Sequence, residues 1–188
     1  MEKIRLITNI GVIMQKRFLM REFNKEKLYI YLFLNFMVAG LLIANSFLGS
    51  NREFWIYILC VLLLLVFIIC LYLLIEFIIL IPTTDARLIN ICLGSSLLLS
   101  LILLTYSNLY YLIYLIKGKK AFSFSGDHLS GNDFLYYSIT TFTTTGYGDI
   151  TSIGIFSNSI AASEMLIGMI SNTILMAIIT SKLIKNLT

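Results

Sequence analysis

The chain has 188 residues, 59% of them hydrophobic and 13% charged, with a mean hydropathy of +0.90, whereas an ordinary soluble domain carries roughly 25% charged residues. That arithmetic argues against a water-soluble globular enzyme, one proline and 11 glycines argue against a collagen-like or disordered chain, and long unbroken apolar runs argue against an alternating-strand outer-membrane barrel. The net charge of +4 comes mostly from bases ahead of the first apolar run, a placement that points to membrane orientation rather than nucleic-acid binding.

Residues 1–27 interleave Lys3, Arg5, Lys16, Arg17, Arg21, Lys25 and Lys27 with Ile4, Leu6, Ile7, Ile10, Val12, Ile13, Phe18 and Leu19. This pattern predicts an interfacial amphipathic segment on the cytoplasmic side. A signal peptide fits less well, because Asn9, Gly11 and Gln15 break its would-be apolar core and no small-residue cleavage site follows.

A transmembrane helix needs about 20 mostly apolar residues. Four stretches qualify: Leu28 to Leu48, Phe54 to Ile81, Leu88 to Ile116, and Ile153 to Ile184. The first and third carry no charge, the second carries Glu76 and the fourth carries Glu164 among its apolar residues. With four spans and a cytoplasmic N-terminus, the seven N-terminal bases, Arg87, Lys182 and Lys185 lie inside, and only Arg52, Lys117, Lys119 and Lys120 lie outside. The positive-inside rule therefore places both termini in the cytoplasm of a multi-pass protein of the cell membrane. Glu76, far along its span, is expected to reach for the cytoplasmic headgroups. Cys60, Cys70 and Cys92 all sit inside apolar runs without metal-ligand spacing, and read as small packing residues.

Between the third and fourth spans, a polar stretch from Lys117 to Asn132 precedes Asp133-Phe-Leu-Tyr-Tyr-Ser-Ile-Thr-Thr-Phe-Thr-Thr-Thr-Gly-Tyr-Gly-Asp149. Asn132 or Asp133 is expected to cap a helix running to about Thr143. Such a helix is roughly 16 Å long, half the hydrocarbon thickness, so it enters the membrane without crossing it. Non-helical backbone at that depth is tolerated only inside protein or against water. The pattern implies a re-entrant loop lining a pore.

In Thr144-Thr145-Gly146-Tyr147-Gly148-Asp149, preceded by a half-span helix and followed by a full span, the chain resembles the potassium-channel pore domain, whose TVGYG filter is the standard example of selectivity by rings of carbonyls. The resemblance covers about Leu88 to Ile184. It implies an all-α integral membrane fold of four transmembrane helices with a pore helix and filter between the third and fourth. The implied organisation is a cytoplasmic segment over 1–27, two peripheral helices over 28–87 and a pore domain over 88–188.

By the same resemblance, the carbonyls of Thr144, Thr145, Gly146 and Tyr147, with the Thr144 hydroxyl, would replace the water shell of K+. Gly146 and Gly148 would supply the backbone freedom, Tyr147 would brace the ring against the pore helix, and Asp149 would stand at the outer mouth. Tyr136 and Tyr137 occupy positions where many relatives carry a Trp pair, Thr140 stands where some carry Glu, and Thr145 stands where an aliphatic is usual. One chain supplies one strand of carbonyls, so a closed ring needs about four copies, and a homotetramer in the lipid bilayer is expected. The permeant ligand is potassium. No cofactor, nucleic-acid partner or enzymatic activity is expected.

In the fourth span, Gly168 matches the hinge glycine of many inner helices, and is equally a close-packing position. Glu164, Gly168, Ser171 and Asn172 share one 100° arc, which should face protein or a cavity. Glu164 near the midplane is expected to brace the pore-helix threonines, with proton-sensitive gating as the alternative. Asn172, Met169 and Met176 are candidate cavity residues by resemblance. No span carries repeated Arg or Lys, so no voltage sensor is expected, and no ligand-binding domain is expected after the fourth span. Two rivals to a potassium-selective channel stand at this point: a weakly selective cation channel, which Thr145 makes conceivable, and a non-conducting channel-like membrane sensor subunit.

Overall fold

The computed structural model describes residues 25–47, 52–81 and 87–187; the amphipathic segment, apart from its last three residues, lies outside them. Four long helices form where the apolar runs predict them: α1 (Lys25–Phe47), α2 (Arg52–Leu80), α3 (Leu88–Lys117) and α5 (Ile155–Leu187). All four are long and apolar enough to cross a bilayer. Between α3 and α5 lies a short helix, α4 (Gly131–Phe142). Its 12 residues measure about 18 Å at 1.5 Å per residue, well short of a span.

The helical expectation omits one feature. Strands β1 (Phe122–Phe124) and β2 (Ile150–Ser152) pair antiparallel, with Phe122 opposite Ser152 and Phe124 opposite Ile150. Three residues per strand are too few for an alternation to register in the sequence. The pair ties the end of α3 to the start of α5. Ile153 donates its N–H to the Ala121 carbonyl at 3.0 Å, and the Ser157 hydroxyl lies 2.9 Å from the same oxygen.

Helix α3 is the centre of the packing. Its Tyr106, Tyr110 and Tyr111 are buried with Phe122, Phe134 and Tyr137 in one aromatic cluster, whose edge-to-face pairs include Tyr110 on Tyr137 at 4.9 Å and Phe122 on Phe134 at 5.1 Å. Such contacts exceed simple area burial by about 0.5–1.5 kcal/mol each. Helix α1 is joined to α3 by amides. Asn35 Nδ2 donates to the Leu97 carbonyl at 2.9 Å, and Asn108 Nδ2 donates to the Val38 carbonyl at 3.2 Å. Polar ties of this kind substitute for the hydrophobic driving force that hydrocarbon cannot supply between helices.

The Glu76 carboxylate accepts a hydrogen bond from Lys27 Nζ at 2.6 Å, with both side chains largely enclosed. This ion pair joins the start of α1 to the last turns of α2.

Candidate functional site

Helix α4 begins two or three residues earlier than the sequence pattern predicts. The cap is Ser130, not Asn132 or Asp133. Asp133 answers from the third helical position, its carboxylate accepting both the Ser130 N–H and the Ser130 hydroxyl at 2.7 Å. This is a Ser-x-x-Asp variant of the capping box, satisfying donors that the first turn leaves open.

The C-terminus of α4 organises the loop that follows. Thr144 N–H donates to the Thr141 carbonyl at 3.0 Å, while Thr145 N–H and Gly146 N–H both donate to the Thr140 carbonyl, at 2.8 and 3.2 Å. In a planar trans peptide the carbonyl of the preceding residue points opposite to the N–H. Two successive peptides thus aim their N–H groups back at one oxygen, and the carbonyls of Thr144 and Thr145 both turn away from α4. In an ordinary strand, successive carbonyls alternate direction.

The backbone angles carry the same message further along. Thr144, Gly146 and Gly148 have φ of 56°, 52° and 82°, and Thr145 and Tyr147 between them do not. Glycine takes this left-handed region freely, but a β-branched residue does so only when its surroundings hold it there, at a cost on the order of 1–3 kcal/mol. Thr144 is the only non-glycine with positive φ among the described residues.

Tyr147 stacks on Tyr136, ring centroids 6.4 Å apart and nearly parallel, yet stays 70% exposed in the single chain. Asp149 accepts the Ile150 N–H at 3.1 Å. Tyr137, the neighbour of Tyr136, turns the other way into the aromatic core, so the two tyrosines brace different partners. Thr140 is buried, with its hydroxyl donating to the Tyr137 carbonyl at 3.0 Å.

Behind α4 stands Glu164 on α5, with no solvent exposure. Its Oε2 accepts the Tyr110 hydroxyl at 2.6 Å, and the Ser138 hydroxyl sits between its Oε1, at 2.5 Å, and the Leu103 carbonyl, at 3.0 Å. The carboxyl group therefore links α3, α4 and α5 through a serine and a tyrosine rather than through the threonines expected. Tyr106 and Ser163 add a hydroxyl pair at 3.0 Å beside it.

Gly168 lies where α5 touches the end of α4. A Cβ there would stand 2.3 Å from the Phe142 carbonyl oxygen, closer than two such atoms can approach. Of the predicted arc, Glu164, Gly168 and Ser171 are buried within the chain, while Asn172 is exposed, as are Met169 and Met176. A cavity of about 240 Å³ runs between the loop and α5, lined by Thr140, Thr141, Thr144, Gly146, Gly148 and Met165 among others. Tyr110 and Ser138 are the residues that sequence reasoning missed, since neither sits in a motif.

Residues 98–185 match the family described as Ion channel. The match, a little under half of the chain, runs from within α3 to near the end of α5 and so contains α4, the loop and the strand pair. No curated protein and no solved structure matches the chain. Four membrane-capable helices together with this ion-channel domain describe a multi-pass membrane protein and support ion conduction.

Proposed function

We propose that the chain is a potassium-selective channel, conducting passively through a homotetrameric pore whose filter is the segment from Thr144 to Gly148. One observation carries the reading: the Thr144 and Thr145 carbonyls turn the same way because the N–H groups of Thr145 and Gly146 share the Thr140 carbonyl. A single file of carbonyls can replace the water around a cation only if they face one side, and four such files around an axis enclose it.

The other parts fit that arrangement. Helix α4 is too short to cross, so in a bilayer it enters and returns, with its C-terminal partial negative charge directed toward a central cavity. The exposed Tyr147, Met169, Asn172 and Met176 are then the residues that neighbouring copies and the aqueous path would meet. Asp149 at the outer end raises the local cation concentration. The bases favour cytoplasmic termini.

The test is the reversal potential of the reconstituted protein with potassium on one side and sodium on the other, with Gly146→Asp as background. A potential near the potassium limit that disappears in the variant supports the reading. A filter-dependent current reversing near zero would make the protein a weakly selective cation channel. Absence of any filter-dependent current from an assembled tetramer would make it a non-conducting membrane subunit.

A further inference from the structure

Thr145 stands where the resembled family usually has an aliphatic residue, and its extra hydroxyl has two directions open to it: toward a permeating ion, or back into the protein. Proton counting decides between them. Thr145 Oγ1 lies 2.9 Å from Thr143 Oγ1. A hydroxyl owns one proton, and that of Thr143 is directed at the Ile139 carbonyl, 2.7 Å away and one turn back in α4. The other acceptor within its reach, the Thr140 carbonyl, is at 3.5 Å. With the Thr143 proton committed to α4, the bond between the two hydroxyls is donated by Thr145.

We infer that Thr145, Thr143 and the Ile139 carbonyl form a hydroxyl relay that staples the filter to the last turn of α4, making Thr143 and Thr145 positioning residues for the carbonyl row rather than side-chain ligands for the ion. The inference rests on the proposed reading of the loop as a potassium filter.

The relay acts beside a main-chain tie on the same residue. Thr145 N–H already donates to the Thr140 carbonyl at 2.8 Å, so both donors of Thr145 end on α4, one through backbone and one through side chain. Between the relay's two threonines sits Thr144, in the left-handed conformation at φ 56°. A β-branched residue in that region relaxes when what holds it is removed. The staple is thus placed at the one point in the loop where strain must be opposed, since Gly146 and Gly148 reach positive φ without it. A valine at 145 would keep the shape and lose the donor.

The experiment is a double-mutant cycle in reconstituted protein, reading both the potassium/sodium reversal potential and the rate at which potassium current decays during sustained conduction. Thr145→Val should leave the reversal potential in place and speed the decay by roughly two- to tenfold, the factor that a net neutral hydrogen bond is worth. Thr145→Ser, which retains the donor, should behave as wild type. Thr143→Val should act in the same direction, and Thr143→Val/Thr145→Val should decay no faster than Thr143→Val alone, since both break one relay. Where Thr143→Val does not assemble, Thr143→Ala takes its place in the cycle. Additive effects, or a reversal potential moved by Thr145→Val but not by the Thr143 variant, would overturn the relay and make the Thr145 hydroxyl an ion ligand. A wild-type protein without current sensitive to Gly146→Asp overturns the filter reading itself, and the relay's role with it, before any threonine is changed.

Discussion

Gly168→Ala separates two readings of one residue by the sign of its effect. If the glycine serves only to let α5 bend, alanine has room and should stabilise the helix by about 1 kcal/mol through its higher propensity. The structure gives it no room. The new methyl carbon would lie 2.3 Å from the Phe142 carbonyl oxygen, 3.1 Å from its carbonyl carbon and 3.2 Å from its ring. Two of these are backbone atoms at the end of α4, so no side chain can rotate aside. Relief requires α4 and α5 to separate by roughly 1 Å, as ordinary carbon–oxygen contact is well over 3 Å. Overpacking of that kind costs about 1–3 kcal/mol, and a backbone obstacle argues for the upper end. After the helix-propensity gain, a net loss of about 2 kcal/mol remains, or roughly 4–8 °C in melting midpoint for a chain of this size. The assay is the fraction of purified protein that keeps its native size-exclusion position after heating in detergent. A midpoint equal to or above wild type would refute the close-packing argument and return Gly168 to the role of a free hinge.

Three further changes probe the same framework. Glu164→Gln keeps an acceptor for Tyr110 and a donor for Ser138, so its stability should stay within about 1 kcal/mol of wild type, whereas Glu164→Leu strands the buried Tyr110 hydroxyl and should cost about 1–3 kcal/mol, part of it recovered by Tyr110→Phe in the same thermal assay. Ser130→Ala removes the cap of α4 and should lower stability by about 1 kcal/mol, read as a matching drop in melting midpoint. Gly131→Ala meets the Leu42 side chain at 3.2 and 3.4 Å, which can give way, and the Leu42 carbonyl oxygen at an ordinary 3.7 Å; its cost should fall well below that of Gly168→Ala, measured side by side.

What the sequence displayed and what it hid follow from the range of the interactions involved. An apolar run of 20 residues is its own signature, so α1, α2, α3 and α5 begin and end within a few residues of expectation. The cap of α4 is equally local, since Ser130 and Asp133 are three apart, but Asn132 and Asp133 are cap-forming residues too, and composition alone does not rank them below Ser130. The remaining misses are contacts between distant positions. Glu164 meets Tyr110 54 residues away and Ser138 26 away, and Lys27 meets Glu76 across 49; no spacing rule reaches that far. Gly168 was readable as a glycine facing protein, but hinge and contact demand the same residue, and only the position of Phe142 tells them apart.

The helices outside the matched domain are tied to it by the same logic. Leu42 of α1 packs on Gly131, the first residue of α4, and the amides of Asn35 and Asn108 fasten α1 to α3 at Asn35 and Val38, about two turns and one turn before that contact. Each amide uses both of its N–H groups, Asn35 on the Tyr31 and Leu97 carbonyls and Asn108 on the Val38 and Leu104 carbonyls. Sliding α1 along α3 would strand the two donors that cross between the helices, those to Leu97 and Val38, in hydrocarbon, where an unsatisfied polar group costs several kcal/mol. Helix α4 is therefore gripped at three heights: at its start by Leu42, at its middle by Ser138 on Glu164 and the Leu103 carbonyl, and at its end by Phe142 on Gly168. Only the last two grips come from helices inside the matched domain. The first comes from α1, which makes that helix part of the support on which the loop's geometry depends, and not merely a lipid-facing addition to it.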